Sequence, residues 1–382
     1  MKIVHVMLCG PVTDGWSYQD NLLTKYHRKS GYDVTMITSQ WVWGENGNLV
    51  KFEKTNYRNE DDVKVIRLPM KGRDDFSRKF KCYDGLKETL ESESPDILFI
   101  HGVSFCDAKV VTKYICTHKI ERVYVDNHSD FSNSGTNWLS KNILHKIIWK
   151  HYAQMLNPYV TKFYGVLPAR VDWLVDMYGL PKEKCELLVM GADDEKAVAA
   201  FRTNARTKIR EKYRIAPDDF LIMTGGKIDP AKAQTLQLMD AVAQIKNPRV
   251  KLIVFGSVTS DLQKQVNARC IENKVWYIGW IKSDDSYKYF AAADLVVFPG
   301  RHSVFWEQVA GMGIPMLCKY WVGTTHVDLG GNVEFLYRDS ADEIQAKIEE
   351  LLNNPEKYKS MQIAAKKGAK YFSYKDIAER CV

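Results

Sequence analysis

The sequence predicts an α/β chain of two tandem Rossmann-like domains, each a doubly wound parallel sheet, with an interdomain cleft at the C-terminal edges of the sheets. Three observations predict it. Strand-like apolar runs alternate with helix-like segments along the first half, the alternation breaks near residues 179–195, and it then restarts. At 382 residues the chain is long enough for two cores of ordinary size.

In the first half, IVHVMLC (3–9) reads as a buried strand, followed by a polar loop through Asp14-Gly15 and a helix near 17–30 that Gly31 ends. YDVTMIT (32–38), DILFIHG (96–102) and RVYVDN (122–127) read as further strands, the last two opening into polar loops, and helices fit 81–93, 105–118, 138–157 and 169–178. After GLPKEKCELLVMGADDE (179–195) the strands are FLIMTGG (220–226), VKLIVFG (250–256), VWYIG (275–279), DLVVFP (294–299) and PMLCK (315–319). A helical run over 340–371 and a short one from Tyr374 close the chain, so the expected bounds are 1–193, 194–365 and a C-terminal helical piece, 366–382, packing back toward the first domain.

Composition narrows the function. Hydrophobic residues at 45% and charged residues at 26% suit a water-soluble globular protein. No apolar run reaches the roughly 20 residues of a membrane helix, and MKIVHVMLCGP reads as a first strand and not a signal peptide, so the expected location is the cytoplasm. Eight cysteines are scattered singly with no CxxC pair, which reads as reduced structural thiols. Residues 1–195 hold 26 basic and 26 acidic side chains, so the whole net charge of +7 lies in the second half. Dense basic clusters with interleaved aromatics are absent, which points to a small anionic ligand and away from nucleic acid.

The stretch DLVVFPGRHSVFWEQVAGMGIP (294–315) is strand, tight loop and helix. The first turn of a helix beginning near Val304 would offer unpaired N–H groups to an anion, and Glu307, a turn further in, could accept hydrogen bonds from ribose hydroxyls. An ordinary strand-to-helix turn reads the same way. Gly225-Gly226-Lys227 follows a strand directly, and Lys227 and Lys232 can bracket a diphosphate. There is no GxxxxGK[ST] and no GxGxxG, which argues against a P-loop nucleoside triphosphatase and a dinucleotide dehydrogenase. No Asp-x-Asp, HExxH or clustered His/Cys spacing occurs, so neither a metal nor another cofactor is expected. His128, in VDNHSDF, and His101 sit at strand ends, where a lone histidine is as readily structural.

Taken in order, GGKIDPAK, VKLIVFGS, KVWYIGWI, AAADLVVFPG and WEQVAGMGIPML resemble the donor domain of family 4 (group 1) glycosyltransferases of the GT-B fold. The first half is similar to that family's acceptor domain. The resemblance implies that Lys232 contacts the donor diphosphate, with Gly226 in the loop and Lys227 where the family usually has arginine. Gly279 and Trp280 would line the nucleobase pocket and Glu307 would hold the ribose. The loop from His302 through Ser303, Val304 and Phe305 would face the phosphates and sugar. Asp14 and Gly15 would face the diphosphate or acceptor, and His128 would approach the donor sugar. Two departures stand out. The family carries two glutamates eight apart, whereas Pro299 occupies the first position here, and YWVGTTHVDLGGN (320–332) replaces the usual Gly-Gly-x-x-Glu stretch.

The function so implied is retaining, metal-independent transfer of a sugar from a nucleotide diphosphate, a UDP-sugar, to a hydroxyl, in the setting of cell-surface polysaccharide or glycolipid assembly with a lipid-linked glycan as one acceptor class. A non-hydrolysing UDP-sugar epimerase and a non-catalytic partner subunit are the alternatives. Two segments, 64–81 with seven basic and two acidic side chains and 138–154 mixing Lys with Trp and Ile, would suit peripheral contact with an anionic membrane at its inner face. A solvated loop and a core helix are the competing readings.

Overall fold

The computed structural model describes residues 1–44, 48–72 and 80–382. The chain divides into two compact units, Met1–Val189 with Ile377–Val382, and Met190–Asp376.

The strands of the first unit are β1 (Lys2–Met7), β2 (Asp33–Ser39), β3 (Trp41–Trp43), β4 (Leu49–Lys51), β5 (Asn56–Arg58), β6 (Lys64–Leu68), β7 (Ile97–His101), β8 (Arg122–Asn127), β9 (Lys162–Gly165) and β10 (Cys185–Leu187). Among the described residues, eight form one sheet in the order β10-β9-β8-β7-β1-β2-β6-β5, parallel except where β5 meets β6. The central strands are buried along nearly their whole length, as expected where crossover helices cover both faces. Register sets Ile3 against Ile97 and His5 against Phe99, and the core gathers Val4, Val6, Leu98 and Ile100 with Phe105 and Trp173.

Two segments depart from the sequence reading. The basic stretch 64–81 opens with β6, paired with β2 from Lys64 to Leu68. Its Arg67 points inward, donating to the carbonyls of Val12 and Ser39, so it is not a surface charge. Residues 73–79 of that stretch lie outside the described residues. The helix expected over 138–157 is a π-helix, Ser140–Trp149, running into an α-helix, Lys150–Leu156. The wider turns bury His145 and Trp149 while Trp138, Leu139 and Ile147 face outward. No helix among the described residues is long and apolar enough to cross a membrane.

The second unit holds β11 (Phe220–Gly225), β12 (Val250–Phe255), β13 (Val275–Tyr277), β14 (Leu295–Phe298), β15 (Met316–Lys319) and β16 (Val333–Leu336). They form a wholly parallel sheet in the order β13-β12-β11-β14-β15-β16. The sequence reading missed β16 because four residues after Gly330-Gly331-Asn332 carry too short an apolar pattern to register. The strand order reverses between β11 and β14, so the loops leaving those two strands diverge, which is where open parallel sheets take their ligands.

Candidate functional site

The hollow at this switch point is lined by residues that include Gly225, Gly226, Lys227, Lys232, Arg301 and Ser303. Its floor depends on missing side chains. A Cβ at Gly225 would lie 2.1 Å from the Phe255 ring, and one at Gly256 would lie 1.8 Å from the Gly226 carbonyl oxygen. At these two positions the ends of β11 and β12 are thus too close to admit a Cβ. At Gly226, with φ at +128°, the backbone turns outward into open space.

The lysines reach the hollow by a local device. Asp229 caps the one-turn 3-10 helix Pro230–Lys232, its Oδ1 accepting from the Ala231 amide at 3.0 Å. That places Lys232 in a partly buried position, while Lys227 stays exposed with its Nζ 3.6 Å from Asp229 Oδ2. Burial lowers the Lys232 pKa, Asp229 opposes this, and the charges of Arg301 and Lys227 lower it further. Three cations thus face one carboxylate. The helix after β14, Phe305–Gly311, is only two turns long, so these side chains dominate the local field over its dipole. Ser303 lines the hollow and Val304 caps that helix, whereas the Phe305 ring packs inward against Phe255 and Phe290. Arg301 was missed in the sequence, where one basic residue in a polar loop carries no signal.

The remaining expected donor residues are placed differently. Gly279 and Trp280 lie outside this lining; Gly279 takes φ +76° with its carbonyl accepting from the Gly256 amide, and Trp280 projects into solvent with 70% exposure. Glu307 has no solvent exposure and lies outside this lining. Its Oε1 accepts from His302 Nε2 at 2.7 Å and from His326 Nε2 at 2.8 Å, while Oε2 is buried with no donor among the described residues. Burial alone would raise its pKa, but the two imidazoles outweigh that and hold it well below the usual carboxylate range. His326 comes from the 320–332 segment, and nothing in a separation of 19 residues announces the pairing. The trio has the composition of a metal ligand set. Its N–O separations are those of hydrogen bonds, however, shorter than the roughly 3.3 Å between donors around a tetrahedral zinc ion.

In the first unit, Asp14 is held by Arg67, whose Nη2 donates to Oδ1 at 3.0 Å, and by the Tyr57 hydroxyl. It serves there as the counter-charge of a buried guanidinium, beside Gly15 at φ +76°. The His128 side chain is 41% exposed, with Nε2 3.5 Å from Asp126 Oδ2, and its carbonyl accepts from Asn133. His101 is buried.

Residues 205–319 match the family described as glycosyl transferases group 1. A mannosylfructose-phosphate synthase of Agrobacterium fabrum (strain C58 / ATCC 33970) is 24% identical over 150 residues, 36% of this chain and 32% of the relative, so the match spans about a third of that protein's length. Among solved structures, sucrose-phosphate synthase from Thermosynechococcus elongatus aligns over 100% of this chain and 97% of its own, with TM-score 0.70 and 14% identity. HepE of Anabaena, solved in complex with UDP, aligns over 100% and 98%, with TM-score 0.69 and 15% identity. At such identity these likenesses speak to the fold. Residues 205–319 are thus a group 1 glycosyl transferase domain, and the chain that carries them has the paired Rossmann-like fold of the GT-B glycosyltransferases.

Proposed function

We propose that the protein moves a sugar from a nucleotide diphosphate donor, a UDP-sugar, to a hydroxyl acceptor with retention at the anomeric carbon. The observation that carries this is the group of Lys227, Lys232 and Arg301 around a glycine loop at the switch point of the second unit. Three cations set against exposed backbone and one capping carboxylate make a receptor for a compact dianion, and a diphosphate is one. The UDP held by the Anabaena neighbour supports the choice of nucleotide.

In this reading the bond from the anomeric carbon to the diphosphate oxygen breaks, and the electron pair leaves with the diphosphate. Lys232, Lys227 and Arg301 bear the growing negative charge, so their contacts strengthen toward the transition state. The acceptor hydroxyl attacks the same face, and its proton passes to the departing phosphate oxygen. Charge is answered by side chains, with no metal required. His128 is the group the resemblance assigns to the sugar. Its carbonyl is pinned by Asn133, which fixes the loop that carries the ring. Glu307 acts behind the site: it ties His302, and with it the Arg301–Ser303 loop, to His326.

A second part of the proposal concerns location. Trp138, Leu139 and Ile147 are exposed on a segment that also carries Lys141, Lys146 and Lys150, which suits shallow contact with an anionic bilayer and a lipid-linked acceptor.

The test is a donor screen with UDP-, GDP- and ADP-sugars, followed by the best donor against lipid-linked glycans. Transfer from a UDP-sugar with the anomeric configuration kept is expected, and Lys232→Ala should lower turnover by roughly 10² to 10³. An isomeric UDP-sugar formed without acceptor would instead make the protein an epimerase.

A further inference from the structure

Three imidazoles stand in file through the first unit: His101 at the end of β7, His5 on β1, and His27 in the helix Gln19–Lys29. His5 Nδ1 is 2.9 Å from His101 Nε2, His5 Nε2 is 3.0 Å from His27 Nδ1, and His27 Nε2 is 3.0 Å from the Ala378 carbonyl oxygen. Ala378 belongs to the C-terminal piece, Ile377–Val382, of the same compact unit. At the other end His101 Nδ1 lies 2.8 Å from Asp126 Oδ2. All three rings and Asp126 are buried.

Counting protons along this file gives an unexpected total. The Ala378 carbonyl can only accept, so His27 must present Nε2–H and leave Nδ1 as an acceptor. His5 must then donate through Nε2, and His101 likewise. Three neutral imidazoles own three ring protons, and these contacts use all of them. His101 Nδ1 would be left as a bare lone pair held 2.8 Å from a buried carboxylate oxygen, which is repulsive. Reversing every donor does not help. The Cys381 thiol, 3.5 Å from His27 Nε2, could then donate to it, but that nitrogen's lone pair would face the Ala378 oxygen at 3.0 Å. Three hydrogen bonds and one close ion-pair contact need four protons.

We infer that the file carries one proton more than three neutral rings, held on His101 against Asp126, and that His101 is thereby the positioning residue for the Asp126 carboxylate and, through it, for the His128 ring. The surroundings agree. Asp20 Oδ1 lies 3.4 Å from His101 Nδ1, and the Gln19 amide lies 3.4 Å from Asp126 Oδ2, so two carboxylates converge on that nitrogen. Cys381 is the titratable group beside His27, His128 is the cation candidate beside Asp126, and Phe99 and Tyr32 cover the rings otherwise. Burial disfavours charge on all three imidazoles, yet Asp126 outweighs it at His101 and raises that pKa, while those of His5 and His27 are lowered. The buried His101 is therefore the nearer counter-charge of Asp126, with His128 Nε2 3.5 Å from the same carboxylate oxygen. The same file ties the C-terminal piece, Ile377–Val382, to Asp126 through Ala378.

The role of His128 rests on the proposed function, but the proton count does not, and the two are tested apart. With the full chain labelled at histidine nitrogens, long-range proton–nitrogen spectra at pH 7 should show both ring nitrogens of His101 protonated and only Nε2 protonated in His5 and His27. Asp126→Asn turns the acceptor-only end into a group that can donate its amide to Nδ1, so one ring proton should vanish from His101 alone. A singly protonated His101 in the unaltered chain, Nδ1–H throughout the file, or an Asp126→Asn chain that keeps the doubly protonated ring would each overturn the inference. Should Asp126→Asn not fold, titration of the unaltered chain decides: His101 should release its second proton above the ordinary imidazole value of about 6.5, and release below it overturns the inference. An intact count with transfer unaffected by His128→Ala would remove only the part assigned to His128.

Discussion

His326 Nε2 lies 2.8 Å from Oε1 of Glu307, a carboxylate with no exposure to solvent. With His302 on the same oxygen, it knots the loop after β14, the helix Phe305–Gly311 and the 3-10 turn Thr325–Val327 at one point. Glu307→Ala leaves the His302 and His326 side chains, 11% and 3% exposed, without their acceptor. The expected cost is roughly 3–5 kcal/mol, the size seen when one member of a buried charged pair is removed. Glu307→Gln, which keeps an acceptor oxygen, should cost about 1–3 kcal/mol. Urea midpoints of the two variants check this, and equal midpoints for Glu307→Ala and the unaltered chain would dismiss the knot.

The same carboxylate sets an acid limit. Its folded pKa is depressed, so the stability it contributes is fully present above the unfolded value of about 4.3 and is lost as pH falls below that toward the depressed folded value. The unaltered chain should therefore lose stability more steeply than Glu307→Gln between about pH 4.5 and 3. Parallel melting-temperature curves for the two proteins in that window would rule the effect out.

Gly256→Ala should distort the glycine loop after β11. Its Cβ would sit 1.8 Å from the Gly226 carbonyl oxygen at a φ of +129°, and both partners are backbone. Over-packing of this kind costs about 1–3 kcal/mol, and the strain adds to it. The expected variant melts lower and loses affinity for UDP. Unchanged melting would mean that β11 and β12 separate more easily than their packing suggests.

Trp138→Ser should weaken binding to anionic vesicles. The ring is 71% exposed beside Leu139, and each nearby lysine adds about 1 kcal/mol of attraction at an anionic surface. Co-sedimentation with vesicles containing phosphatidylserine should fall several-fold relative to the unaltered chain, with little binding of either to neutral phosphatidylcholine. Equal recovery on both lipids would end the membrane proposal.

Much of the fold was legible because buried parallel strands are continuous apolar runs: IVHVM, ILFIH and VKLIVF announce themselves without context. The GGK loop was legible for a local reason, glycines standing between a strand and two lysines. What could not be read is what depends on distant partners. Arg67 looks like a surface charge until Asp14 and two carbonyls close around it. The bonds from His302 and His326 to Glu307 could not be read at all, since His326 lies 19 residues away in a loop with no pattern to announce it. The histidine file is spread over β1, one helix, β7 and the C-terminal piece, and only the sheet register brings His5 beside His101.

Calorimetric titration of the chain with UDP tests the central claim, that Lys232 and its neighbouring cations grip a diphosphate. The unaltered protein should give saturable binding at one site, weaker at high salt, and Lys232→Ala should lose at least about tenfold in affinity, as expected for a charge-assisted hydrogen bond worth about 1.5–3 kcal/mol. Absence of binding, or identical affinity for the two proteins, would contradict it.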